Sequence, residues 1–95
     1  MTPTYRFRQS YTHDHRIAVI VEFALASEFT ARTEAFNRLA LDVAMQITAT
    51  DPASVALLLQ QAWLKDPLNT VEAKIAECAT RLQEQIEITR FVRWG

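Results

Sequence analysis

The sequence predicts an α+β fold: a three-stranded antiparallel sheet with three helices packed on one face, in the order ββαααβ. Three observations predict it. Apolar and polar residues alternate at both ends of the chain, which is the period of a half-buried strand. Between those ends the apolar spacing switches to that of amphipathic helices. Two Asp-Pro steps, Asp51-Pro52 and Asp66-Pro67, divide the helical stretch into three, because the residue before a proline resists the helical region.

The first strand runs from Thr4 to His13, with Tyr5, Phe7 and Tyr11 on one side and Arg6, Arg8, Ser10 and Thr12 on the other. Asp14 and His15 form a two-residue turn, without the glycine that such turns favour. Arg16 to Leu25 is apolar on both faces except at Glu22, as expected of a central strand, and it pairs with the first as a hairpin. From Thr33, a good N-cap, Phe36, Leu39, Ala40, Val43 and Ile47 share one helical face. The stretch from Thr50 to Ser54 ends this helix and starts the next, with Asp51 as N-cap and Pro52 in the first turn. The second helix buries Val55, Leu58, Leu59 and Ala62 and ends at Trp63; Leu64 to Asn69 is a turn. Asn69 and Glu72 have capping-box spacing, and the third helix buries Val71, Ile75, Cys78 and Leu82. After Gln85 the period returns to two. Ile86, Ile88, Arg90, Val92 and Trp94 then lie on one face, against Glu87, Thr89, Phe91 and Arg93 on the other. The sheet face without helices carries Arg6 and Arg8, and must be solvated or bound.

Composition narrows the function. The 95 residues suit one domain spanning 1–95, and 49% apolar with 22% charged residues is ordinary globular usage. No apolar run approaches the roughly 20 residues that cross a bilayer. The start, "MTPTYRFRQSY", has no apolar segment of the kind an export signal needs. A lone cysteine, Cys78, points to the cytoplasm and lies on an apolar helical stripe, as a buried hydrophobe does. Arginines 6, 8, 16, 90 and 93 interleave with aromatics on the strands, a pattern able to bind single-stranded nucleic acid, but a net charge of -1 argues against that partner. His13 and His15 flank Asp14 with no third ligand near in sequence, so they read as turn polarity and no metal is expected. The one glycine is the last residue, which removes any glycine-rich phosphate loop. No nucleophile and base stand out, so an enzyme or a cofactor is not expected.

One stretch fits neither period. "ALASEFTARTEAF", Ala24 to Phe36, places Phe29 in a polar strand-to-helix junction, either as a core plug or as a group presented to a partner. Around it, "HRIAVIVEFALASEFTARTEAFNRLALDVAMQITATDP" resembles the core of bacterial translation elongation factor Ts. Arg16, Ile17, Val19, Val21, Glu22, Phe29, Ala31, Arg32, Phe36, Leu39, Ala40, Asp42 and Ala44 to Ile47 carry the likeness. The end of the chain is similar to the family's closing segment through Lys65, Asp66, Pro67, Thr70, Val71, Ile75, Glu84, Ile86, Arg90, Phe91 and Arg93.

The resemblance implies a guanine-nucleotide exchange factor for elongation factor Tu, a binding protein that inserts a phenylalanine into the GTPase beside its nucleotide site and releases GDP. It implies a partner-binding site of Ser27, Glu28, Phe29, Thr30 and Arg32, with Phe29 as the wedge. It also implies a homodimer joined through the sheet, as short members of the family form. The family's N-terminal three-helix domain and the second half of longer cores have no counterpart in these residues, so a stand-alone or excised core unit is expected. The hallmark turn is edited: Ser27, Glu28 and Thr30 stand where the family has Thr, Asp and Val, and Gln83-Glu84-Gln85 where it has Gly-Glu-Asn. The alternative is an interaction or dimerisation module of the same fold that has lost exchange.

Overall fold

The computed structural model describes residues 4–95; Met1 to Pro3, part of the start read above as lacking an export signal, lie outside the described residues. The elements are β1 (Tyr5–His13), β2 (Ile17–Leu25), α1 (Glu28–Ala31), α2 (Glu34–Thr50), α3 (Val55–Gln60), β3 (Ala62–Trp63), β4 (Asp66–Thr70), α4 (Val71–Leu82) and β5 (Ile86–Trp94). The α+β class and the three-stranded sheet stand: β2 is central between β1 and β5, both antiparallel to it. Val19, Val21, Phe23 and Leu25 of β2 are buried under α2, where Phe36 meets Phe7 and Phe23 edge-on at 5.0 and 5.2 Å.

The element order departs from ββαααβ: among the described residues there are four helices and a second, two-stranded sheet, β3–β4. The helix expected to end at Trp63 stops at Gln60. Gln46 is the physical reason. Almost fully buried on α2, its amide donates to Gln61 Oε1 and Ala62 O, and its oxygen accepts from Leu64 N at 3.1 Å. A buried amide must be satisfied, and here it pulls the backbone after α3 into a small hairpin. Two caps move as well. Asp51 is not an N-cap; it ends α2 in the left-handed region at φ 46°, and Ser54 caps α3 by accepting from Leu57 N. Asn69 donates to Asp66 instead, leaving Thr70 to cap α4 through Ala73 N. Thr33 caps α2 as expected, accepting from Phe36 N.

The first hairpin has a three-residue loop, Asp14 to Arg16, between the paired His13 and Ile17. Asp14 and His15 both take positive φ, 52° and 59°, and Arg16 N–H returns to His13 O, so the geometry that glycine favours is adopted without it. In β5 a bulge opposite Glu22/Phe23 leaves Thr89 outside the register. The bulge reverses the phase of the strand. Ile86, Ile88, Phe91 and Arg93 therefore face the helices, and Arg90, Val92 and Trp94 face away, correcting the single-face assignment of Ile86 through Trp94.

Candidate functional site

Leu25 ends the buried strand, and Ser27 is the extended residue before the single turn of α1. Successive helical residues point about 100° apart. Thr30 turns inward with no exposed surface and Ala31 packs against the core, which directs Phe29 outward, 66% exposed. Phe29 is therefore not a core plug; its ring stands exposed.

The backbone carrying Phe29 is fixed on both sides. Before it, Ser27 Oγ donates to Glu84 Oε1 at 3.3 Å, tying the turn to the end of α4. After it, Thr33 Oγ1 donates to Thr30 O at 2.9 Å, and Asn37 Nδ2 donates to Ala31 O and Thr33 O, both at 2.7 Å. Arg32 and Glu28 form an exposed ion pair at 2.9 Å, so the Glu28 carboxylate is engaged within the turn. A pair this exposed adds little stability. Thr30 Oγ1 is buried and has no hydrogen-bond partner among the described residues, the cost of a hydroxyl at that position. The structure thus brings Ser27, Glu28, Phe29, Thr30 and Arg32 into one turn but turns Thr30 away from solvent. Sequence reasoning missed Glu84 as the brace of this turn; it lies 57 residues from Ser27 and carries no local signal.

The brace depends on how α4 ends. Gln83 takes the left-handed conformation at φ 55°, with Gln83 N–H to Thr80 O and Glu84 N–H to Ala79 O at 3.2 and 3.0 Å. This is a Schellman arrangement built without glycine. It turns the chain so that Glu84 faces Ser27.

The sheet face away from the helices holds a buried charge. Glu22, 6% exposed, accepts from Thr89 Oγ1 at 2.6 Å and pairs with Arg8, Arg90 and Arg6 at 3.0, 3.4 and 4.0 Å. The Thr89 hydrogen bond, then Arg90 and Arg8, hold its carboxyl below the usual range against the opposing effect of burial. Beside this cluster Ile20, Val92 and Trp94 are exposed, at 39%, 47% and 53%. Cys78 is buried, and burial pushes its thiol up, the reverse of what a nucleophile needs. His13 accepts or donates with Tyr11 Oη at 3.1 Å; among the described residues no three His, Cys, Asp or Glu side chains converge as a metal site. Among them, too, no helix is long and apolar enough to cross a membrane.

Comparison with known proteins agrees with the resemblance. No family model matches the chain. The chain is 37% identical over 80 residues to elongation factor Ts of Nostoc punctiforme, covering 84% of this chain and 25% of that protein. It is 32% identical over 80 residues to elongation factor Ts of a second Nostoc species, with the same coverage. It is 28% identical over 130 aligned positions to elongation factor Ts of Myxococcus xanthus, covering 90% of this chain and 60% of that protein. The chain therefore spans between a quarter and about three-fifths of these relatives. The 130 positions exceed the 95 residues of the chain, so the Myxococcus protein carries insertions within the matched span. The matches cover most of the chain, the strands and helices around Phe29 included, and over that length the chain is similar to elongation factor Ts.

Proposed function

We propose that this chain is an elongation factor Ts-like unit of the cytoplasm that binds an elongation factor Tu-like GTPase through the Ser27–Arg32 turn and promotes GDP release. It acts as a binding protein, not as an enzyme, and needs no cofactor. The observation that carries this reading is Phe29, two-thirds exposed on a backbone held at both ends. An aromatic anchor presented in a fixed pose loses little entropy on binding, and such anchors dominate interface energies.

The mechanism is a coupling of two equilibria. If Phe29 fits only the nucleotide-free conformation of the GTPase, binding stabilises that conformation and weakens GDP reciprocally. Each tenfold loss of GDP affinity needs about 1.4 kcal/mol of preference between the two conformations. The outer sheet face, where Ile20, Val92 and Trp94 are exposed, is the proposed homodimer surface.

A second reading, an interaction or dimerisation module without exchange, draws support from Glu28. Its carboxylate is held by Arg32 rather than left for a partner. Release of a fluorescent GDP analogue from elongation factor Tu, with this protein and with its Phe29→Ala variant, separates the two. Accelerated release that the variant abolishes supports the exchange factor. Binding without acceleration supports the module.

A further inference from the structure

A groove of about 190 Å³ runs between α2 and α4. One end lies at the β3–β4 hairpin, because Asp42 of α2 pairs with Lys65 at 2.8 Å and Lys74 of α4 pairs with Asp66 at 3.1 Å. The other end lies beside α1, because α2 begins just after it and α4 ends at the Ser27–Glu84 bond. The two helices therefore run antiparallel along the groove. Its charges are distributed unevenly. At the hairpin end they are neutralised: Lys65 by Asp42, and Lys74 by Asp66 and by Glu77 at 3.7 Å. At the α1 end Arg38 and Arg81 line the groove from opposite helices, and among the described residues neither has an ion-pair or hydrogen-bond partner. Glu34 and Glu77 stand four residues before them, at the spacing of helical ion pairs, yet Glu77 turns to Lys74 and neither pair closes.

We infer that the α1 end of this groove is a docking site for the carboxylates of an acidic segment on the partner protein, taken by Arg38 and Arg81. This deepens the exchange-factor reading and rests on it for the identity of the partner. Guanidinium forks suit carboxylates, and two on facing helices can grip one segment from both sides. The charge on this chain is one-sided: two cations without ion-pair partners among the described residues line the α1 end of the groove. The partner must then present Asp or Glu side chains to this groove. Arg81 also lies in the last turn of α4, where a cation suits the helix dipole. Arg38 has no such role in the second turn of α2, and both line one groove.

Two measurements test this. First, hexaglutamate is titrated into the ¹⁵N-labelled protein alone, and the arginine side-chain Nε–H resonances are followed. The expected result is saturable shifts at Arg38 and Arg81, lost in the R38Q/R81Q double variant. Shifts that are absent, or that fall on Arg6, Arg8 and Arg90 instead, overturn the inference. Second, association with elongation factor Tu is followed by stopped flow at several ionic strengths, with thermal melts confirming that each variant is folded. Electrostatic steering predicts that the double variant associates roughly tenfold more slowly at low salt, with the difference closing at high salt. An unchanged rate and salt slope overturn the inference. If the wild-type protein fails to bind this GTPase, the exchange-factor reading falls, and the hexaglutamate result alone decides whether the groove takes carboxylates.

Discussion

Phe29 and Phe36 lie seven residues apart and differ widely in burial: 66% against 0% exposed. Replacing each by alanine therefore measures whether Phe29 is presented or packed. Full burial of a phenylalanine is worth about 1.5–3 kcal/mol. Roughly one-third of Phe29 is covered, so F29A costs about 0.5–1 kcal/mol. Alanine also favours the helical turn it would occupy, trimming the loss by a few tenths. The midpoint of thermal unfolding falls by only about 2–6 °C at this size. F36A removes a buried ring and its edge contacts to Phe7 and Phe23, at about 3–5 kcal/mol, a large share of a small domain's total stability. Urea titrations followed by far-UV circular dichroism, with linear extrapolation, read both. F29A is then assayed for GDP release from elongation factor Tu; exchange is lost while the fold persists. A cost of 3 kcal/mol or more for F29A would refute the argument, because it would make Phe29 part of the core.

Three further predictions come from single atoms and torsions. The Thr30 hydroxyl is buried without a partner among the described residues, so T30V, which keeps the shape, raises stability by about 1 kcal/mol in the same titration; a loss would reveal a hydrogen bond to the hydroxyl. Gln83 sits at φ 55°, so Q83G relieves a left-handed strain of about 1–2 kcal/mol against about 0.5–1 of added unfolded-state entropy. The expected gain is a few tenths to 1 kcal/mol, and no gain would mean that the side chain contributes contacts of its own. Glu22 has a folded pKa lowered below 4.5, by the Thr89 hydrogen bond first and then by Arg90 and Arg8. A lowered carboxyl stabilises above its unfolded value and loses that contribution as pH falls through the folded one. Stability should therefore decline from about pH 4.5 downward, and more gently in E22Q, with Asp66 supplying part of the remaining slope. An acid limb of equal steepness in E22Q would assign the whole decline to other carboxylates.

Features set by local pattern were legible in the sequence. The central place of β2 followed from an apolar run broken only at Glu22, and the start of α2 followed from Thr33 and the stripe from Phe36 to Ile47. What failed depends on partners distant in the chain. The β3–β4 hairpin is dictated by Gln46, which lies 16 residues before the Ala62 carbonyl it holds. The bulge at Thr89 serves Glu22, 67 residues away, and by shifting the phase of β5 it sends Arg93 inward to donate to Thr48 O at 3.2 Å. At the candidate site, the turn was located by its departure from both periods, but one helical turn can present a side chain in any direction. Only the burial of Thr30 settles where Phe29 points. The unpaired state of Arg38 and Arg81 was hidden for the opposite reason, since each has a glutamate at the spacing that usually forms a pair.

The three altered residues of the turn have different consequences. Ser27 keeps a hydroxyl, which holds Glu84. Glu28 reaches one helical turn forward to Arg32, a contact that leaves its carboxylate in solvent. Thr30 puts a hydroxyl where a methyl would fit, at a cost of about 1–3 kcal/mol if nothing compensates. The direction of Phe29 follows from the inward turn of position 30, which an apolar side chain would keep, on a backbone set by a strand ending at Leu25, one helical turn and the cap at Thr33. The edits therefore weaken the scaffold of the turn without redirecting its anchor. A domain of this size tolerates that loss more readily than the loss of an interface anchor, whose truncation removes several kilocalories from one contact. On the proposed exchange-factor reading, the contact through Phe29 survives substitution of its flanking residues, provided that position 29 remains aromatic and the Ser27–Glu84 brace remains closed.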